Sequence, residues 1–273
     1  MHPNERELVF RELTKVDTKY KFFYATPEFV LSYQAKVCFE AMVENDTLRR
    51  FVVDEAHCVD TWGNSFRPAY NNLSELKAFR KSFCAFTGTA TPRTQAQIVQ
   101  KLGLMTPEIF QASCNRENLH FAVMKKGEKH PKEDLVEYIK VKHAKQCGIV
   151  YCFSTKDTVE LAYIFKSKGL PATYYHGQLD HFEKKENAKA WLEGKALIMC
   201  ATSTFGMGID KSDVWFVIHI TLPRSMEDYY QEAGRAGRDG NPSTCIIMFR
   251  FMDRNQLLRT ISPQTADDKK DYL

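Results

Sequence analysis

Long hydrophobic runs are missing from this sequence. No stretch of its 273 residues approaches the roughly eighteen consecutive apolar residues that cross a bilayer, which excludes a membrane-spanning helix. The opening Met1-His2-Pro3-Asn4-Glu5-Arg6-Glu7 has no apolar core and no small-residue cleavage site, so it is no secretory signal and an intracellular protein is expected. Cys-x-x-Cys is absent too. Cys38, Cys58, Cys84, Cys114, Cys147, Cys152, Cys200 and Cys245 are scattered and mostly flanked by apolar residues, which predicts buried reduced thiols and no structural metal. There is no internal repeat, which argues against a solenoid, and no low-complexity segment. Neither sign of charge dominates: the net charge is +4 and the pI about 8.5, compatible with a polyanionic partner without establishing one.

What is present is a βα rhythm. A chain of 273 residues can bury two ordinary cores. Short β-branched and aromatic runs alternate with segments of helical period, the pattern of an α/β fold with parallel sheets. Expected strands are Phe22 to Ala25, Phe51 to Val53 and Cys84 to Thr87, then Gly148 to Phe153, Ala172 to Tyr175, Ala196 to Ala201, Trp215 to His219 and Cys245 to Phe249. Thr155 to Lys168 and His181 to Leu192 read as helices, each ending near a glycine, Gly169 and Gly194. Periodicity is weakest over Ser113 to Pro131, which puts a domain boundary near Asn118: residues 1–118 and 119–273.

Two segments carry chemistry. Phe51-Val52-Val53 runs into Asp54-Glu55-Ala56-His57, setting two carboxylates at the carboxyl end of a buried strand, where doubly wound sheets bind ligands. Such a pair can hold Mg²⁺ through water with one carboxylate, Asp54, and polarise the attacking water with the other, Glu55. The same letters also occur as a plain helix cap. In Tyr229-Tyr230-Gln231-Glu232-Ala233-Gly234-Arg235-Ala236-Gly237-Arg238-Asp239-Gly240, two arginines three apart are expected to face one target. A forked guanidinium there suits a developing phosphoryl charge, Arg238 directly and Arg235 in support.

With Ala201-Thr202-Ser203-Thr204-Phe205-Gly206-Met207-Gly208-Ile209-Asp210-Lys211, these segments stand in helicase motif order. Thr26-Pro27-Glu28 resembles motif Ib, Asp54 to His57 motif II, Phe86-Thr87-Gly88-Thr89-Ala90-Thr91 motif III and Gly148 to Ser154 motif IV; the segments at Ala201 and Gln231 resemble motifs V and VI. Trp62-Gly63 followed by Phe66-Arg67-Pro68 is similar to the aromatic-rich loop of RecQ DNA helicases, closest to the Bloom-syndrome type, and the resemblance runs from about Phe22 to Ile261. It implies two RecA-like parallel-sheet domains, ATP with Mg²⁺, translocation on single-stranded DNA with 3′-to-5′ polarity, and unwinding of forked duplexes in nuclear DNA repair and recombination. It also implies roles for Gln231 among the catalytic groups and for Gly208 and Asp210 at the nucleotide. On DNA it implies His57, Trp62, Phe66, Arg67, Ser154 and Thr202: rings stack on bases, Arg67 meets a phosphate, hydroxyls touch the backbone. Core packing of Trp62 and Phe66, and local capping by Ser154 and Thr202, are the plain alternatives.

The pattern also breaks. The family's Gly-rich loop ending Gly-Lys-Ser/Thr, whose amides and lysine cradle the β and γ phosphates, is absent, which leads to the expectation of a first domain incomplete at its N-terminus. Asn64-Ser65 replaces His-Asp in the aromatic loop, Gly88 stands for Ala in motif III, and Ser212 for Pro after Asp210-Lys211. Three readings follow: an ATP-dependent DNA helicase motor with weak hydrolysis alone, a non-catalytic nucleic-acid-binding protein of helicase shape, and an RNA helicase, against which the Trp62 loop and the Tyr-Tyr-Gln-Glu context argue.

Overall fold

A computed structural model describes residues 3–59, 68–206 and 209–260. The chain divides into two compact units, residues 1–112 and 113–273. The division falls six residues before the boundary expected near Asn118, because Arg116 and Asn118 hydrogen-bond into the second unit.

The first unit runs α1 (Pro3–Leu13), α2 (Pro27–Val30), α3 (Tyr33–Glu44), β1 (Arg50–Val53), β2 (Ser82–Ala85) and α4 (Pro92–Lys101), with 3₁₀ turns at Ala56–Val59 and Pro68–Phe79. β1 and β2 are parallel, Phe51 opposite Phe83 and Val53 opposite Ala85. Phe39 holds them to α3: its ring meets Phe51 edge-on at 5.3 Å and Phe79 at 5.7 Å, beside buried Cys38, Met42 and Leu48. Phe22 to Ala25 is not a strand. A strand needs a partner for its amides, and β1 pairs only with β2 among the described residues. Phe23 packs into the core while Phe22 and Tyr24 stack on each other in the open, 6.3 Å apart.

The second unit continues β3 (Leu119–Lys125), α5 (Pro131–His143), β4 (Gly148–Tyr151), α6 (Thr155–Ser167), β5 (Ala172–Tyr175), α7 (His181–Leu192), β6 (Ile198–Ala201), β7 (Phe216–His219), α8 (Met226–Ala233), β8 (Ser243–Phe249) and α9 (Phe251–Thr260). Its strands form one parallel sheet in the order β3-β8-β7-β4-β6-β5. β4, β6 and β7 are buried throughout, which is why they read as continuous apolar runs. Successive side chains feed opposite faces. Val150, Cys200 and Ile218 pack with Leu161 and Phe165; Ile149, Met199 and Val217 pack with Trp191 and Phe205. β3 was not expected from the sequence. It is an edge strand, exposed at His120 to Val123, so its residues show no buried alternation, and pairing to β8 over seven positions holds it.

α6 and α7 follow their sequence signals. Ser154 and Asp180 cap them, accepting from the amides of Asp157 and Glu183, and Gly169 and Gly194 close them in the left-handed region at φ +79° and +75°. α6 buries Thr158, Leu161, Ala162 and Phe165, spaced as one face of a helix; each large apolar side chain there contributes about 1.5–3 kcal/mol. No cysteine is in a disulfide. Six are buried, Cys84 is half-buried and Cys114 is exposed, the exception to the expected burial; desolvation raises the Cys147 thiol to about 12. Among the described residues no helix is long and apolar enough to cross a membrane.

Candidate functional site

In the first unit the ladder runs on past the end of β1. Phe86 donates its N–H to Val53 O and Ala56 donates to Phe86 O, both at 2.8 Å, so the Asp54-Glu55 pair is strapped between two bonds to the chain leaving β2. Between them the backbone turns sharply, and Glu55 sits at φ +49°. A non-glycine residue there costs about 1–2 kcal/mol, a local strain of the kind that gathers at functional turns.

The exposed Asp54 uses one carboxylate oxygen, Oδ1, to accept the Glu55 N–H at 2.9 Å. Its Oδ2 takes no hydrogen bond from a described residue. His57 is the second residue of the following 3₁₀ turn, with Ala56, Cys58 and Val59 buried around it. Its Nδ1 lies 2.8 Å from Thr87 Oγ1 and 3.5 Å from Glu55 Oε2. The Thr87 hydroxyl faces Thr89 O at 3.1 Å and accepts the Thr89 N–H at 3.2 Å. A hydroxyl has one proton; given to Thr89 O, it leaves Thr87 to accept from a protonated Nδ1, the tautomer that also suits the Glu55 carboxylate. The box and the Thr87 turn are thus one hydrogen-bonded unit.

In the second unit, Ser154 and Thr202 follow the carboxyl ends of the adjacent strands β4 and β6. The Ser154 hydroxyl caps α6, accepting the Asp157 N–H at 3.1 Å and donating to Asp157 Oδ2 at 2.6 Å. Burial pushes the Asp157 carboxyl up, but the Ser154 hydroxyl and the Lys132 ammonium outweigh it and hold Asp157 below the usual carboxylate range. Thr202 Oγ1 pairs with Thr204 Oγ1 at 2.9 Å, and its N–H donates to Tyr175 O. Local capping therefore occupies Ser154 in this conformation.

The two arginines part company. α8 is capped by Ser225 and stops at Ala233, with Gly234 after it, so the chain leaves the helix before Arg235. Three-residue spacing puts side chains on one face only within a helix. Arg235 turns inward, buried, and its Nη1 donates to Gly206 O. Gly206 has φ +129°, and a Cβ there would lie 2.1 Å from the Arg235 guanidinium carbon, so only glycine admits that approach. Arg238 points outward and donates to Ile209 O at 2.9 Å and Asp210 Oδ1 at 3.1 Å. Gln231 is half-buried on α8. Trp62, Phe66, Arg67 and Gly208 lie outside the described residues.

Several residues that the sequence reading passed over support this end of the sheet. Glu232, inside the Gln231 to Arg238 segment, is buried and meets His219 Nε2 at 2.7 Å; Tyr151 stacks on that imidazole at 4.9 Å, and its hydroxyl donates to Phe205 O. A buried Glu in an otherwise apolar helix face was the available signal. Lys126, just past β3, and Asp253, in the first turn of α9, form a buried pair, for which sequence offers no signal because they are far apart in the chain.

Asp54 and Glu55 suit a hydrated divalent ion. Among the described residues no group of three or more His, Cys, Asp or Glu could cage a metal. Asp54 Oδ2, which takes no hydrogen bond from a described residue, and its carboxylate neighbour are the donor set of an ion that keeps most of its water and takes the rest of its ligands from phosphates.

Two family models match the chain: "DEAD/DEAH box helicase" over residues 3–98 and "Helicase conserved C-terminal domain" over residues 131–240. On two parallel-sheet units, these matches define the class as that of the DEAD/DEAH-box helicases. The chain is 40% identical over 261 residues to the RecQ-like DNA helicase BLM of Xenopus laevis, covering 94% of this chain and 19% of that protein. It is 40% identical over 257 residues to the ATP-dependent DNA helicase Q-like 4B of Arabidopsis thaliana (93% and 22%), and 40% over 252 residues to the ATP-dependent helicase SGS1 of Saccharomyces cerevisiae (90% and 17%). The chain belongs to the RecQ-like helicases, and it spans 17–22% of the length of these three relatives. The fold is shared with Mycobacterium smegmatis helicase Lhr bound to single-stranded DNA and AMP-PNP, at TM-score 0.68, 18% identity, 93% of this chain and 34% of that one. It is shared also with S. cerevisiae Dbp5 bound to RNA and ADP BeF3, at TM-score 0.65, 19% identity, 92% and 66%.

Proposed function

We propose that this chain is the motor segment of a RecQ-like, ATP-dependent 3′-to-5′ DNA helicase serving DNA repair and recombination in the nucleus. The observation that carries the reading is the strapped turn at Asp54-Glu55, with Glu55 at φ +49° and His57 hydrogen-bonded to Thr87. Asp54 would hold a Mg²⁺ ion through water. That ion, when bound, neutralises phosphate charge and orients the γ-phosphoryl group. Glu55 accepts the proton of the attacking water, and His57, joined to Thr87, relays the state of this turn to the segment after β2. Arg238 is freed from Asp210 to meet developing phosphoryl charge; Arg235 stays buried and fixes the turn against Gly206, with Gln231, Gly208 and Asp210 beside the nucleotide. Trp62 and Phe66 stack on bases, while Arg67, Ser154 and Thr202 contact the phosphodiester backbone of single-stranded or forked DNA. Because these 273 residues hold no Gly-Lys-Ser/Thr loop, nucleotide is bound weakly and hydrolysis by this chain alone is slow.

The test is hydrolysis of Mg-ATP by the 273-residue chain with single-stranded DNA, RNA or neither. Slow turnover stimulated by DNA and abolished in Glu55→Gln and Asp54→Asn is expected. Turnover that survives both substitutions, or that responds to RNA and not to DNA, overturns the assignment; tight DNA binding with no Glu55-dependent turnover at any nucleotide concentration favours the non-catalytic reading.

A further inference from the structure

The segment that opens the second unit, Ser113 to Asn118, has no part in the roles above, yet it grips the turn that bears both arginines. Arg116 lies half-buried against the C-terminal end of α8. Its Nη1 donates to Gly234 O at 3.0 Å, and its Nη2 donates to Ala236 O at 3.1 Å and to Gly237 O. Asn118 Nδ2 donates to Gly237 O at 2.8 Å and Asn241 O at 2.9 Å, and Asn118 O accepts the Ser243 N–H. The Tyr230 hydroxyl donates back to Cys114 O.

These contacts answer a definite physical need. α8 ends at Ala233, so the carbonyls of Gly234, Ala236 and Gly237 belong to no helix or strand ladder and need partners from elsewhere. One planar guanidinium meets three carbonyls there at once, which an ammonium on a single point cannot do. The fit is close from the other side as well. Gly237 sits at φ +57°, and a Cβ on it would lie 2.5 Å from Asn118 Nδ2 and 2.8 Å from both Asn241 O and Ser243 Oγ. A passive linker residue has no reason to converge on one turn in this way.

We infer that Arg116, assisted by Asn118, is a positioning residue for the arginine-bearing turn, forcing the chain after Ala233 into the path that buries Arg235 and leaves Arg238 outside. Its effect on catalysis rests on the role proposed for Arg238; its hold on the turn does not.

The test uses the full 273-residue chain with Arg116→Ala, Arg116→Lys and Asn118→Ala. Hydrogen exchange is followed at the amides of Ala236, Gly237, Asp239 and Gly240, which are protected by bonds to Ala233, Val214, Ser212 and Gly237 carbonyls. Arg116→Ala is expected to speed exchange in this turn about tenfold or more, with Arg116→Lys intermediate and α6 and β4 unchanged. In single-turnover hydrolysis Arg116→Ala lowers the rate at saturating nucleotide, leaves KM alone, and adds nothing in an Arg238→Ala background. Unchanged exchange in the turn, a uniform rise across the unit with lysine no better than alanine, or full additivity with Arg238→Ala refutes the inference. If the unsubstituted chain shows no Glu55-dependent hydrolysis, the functional reading has failed, and the exchange measurement alone decides the clamp.

Discussion

Replacing Asp253 by alanine is expected to destabilise the second unit by about 3 kcal/mol, because it strands a buried ammonium. Asp253 is 1% exposed and accepts from Lys126 Nζ at 3.2 and 3.3 Å, from Arg250 Nε at 3.1 Å and from the Arg250 N–H at 3.3 Å. Without it, the Lys126 ammonium keeps only Ile220 O among the described residues, at 2.6 Å. Breaking a buried pair by removing one partner costs roughly 3–5 kcal/mol, and two features favour the lower end. Arg250 is a third exposed, so its share is screened. A cavity of about 180 Å³, lined by Lys126, Thr221, Cys152 and Arg250, gives water room to approach the ammonium. With a urea slope near 2 kcal/mol per molar, the midpoint falls by about 1.5 M, read by circular dichroism. The double variant Lys126→Met with Asp253→Leu separates charge from shape: apolar replacement of both partners is expected to cost less than the single change. A shift below about 0.5 M for Asp253→Ala, or a double variant worse than the single, would show that the pair is not desolvated as argued.

Ser154→Ala removes the cap of α6 and is expected to cost about 1 kcal/mol in urea titration, with Ser154→Thr, which keeps the hydroxyl between the Asp157 N–H and carboxylate, restoring most of it; no loss in Ser154→Ala would show that the cap contributes nothing. Gly237→Ala combines positive φ with collision at Asn118, so a loss of about 2 kcal/mol or more is expected, and a neutral result would mean the turn is loose. Burial depresses the His143 imidazole, so the unfolded chain binds its proton first: stability contributed by the neutral ring is present above about pH 6.5 and is lost as pH falls below it. The second unit should therefore melt higher at pH 7.5 than at pH 5.5, and His143→Gln should shrink that difference; an unchanged difference removes His143 as a source.

Much of this molecule was legible locally. The cap at Ser154, the closing Gly169 and Gly194, and the fully apolar β4, β6 and β7 are short-range signals, each set by one residue's backbone preference or by burial on both faces. Asp54 to His57 was legible for the same reason, since a strand's carboxyl end fixes where its next residues stand. Phe22 to Ala25 misled, because β propensity says only that a segment fits a sheet, not that a neighbour is there to receive its amides. β3 escaped notice because an edge strand buries too little to leave a pattern.

The sequence by itself determined which residue types stand where: two carboxylates after a strand, two arginines after a helix, and glycines beside the arginines. Only the tertiary structure decided where each points. It sent Arg235 inward onto Gly206 and Arg238 outward onto Asp210, because α8 ends before either, and it made Arg116 the partner of three carbonyls roughly 120 residues away. Such distant pairings depend on where the whole sheet places two ends of the chain, and no local periodicity records them.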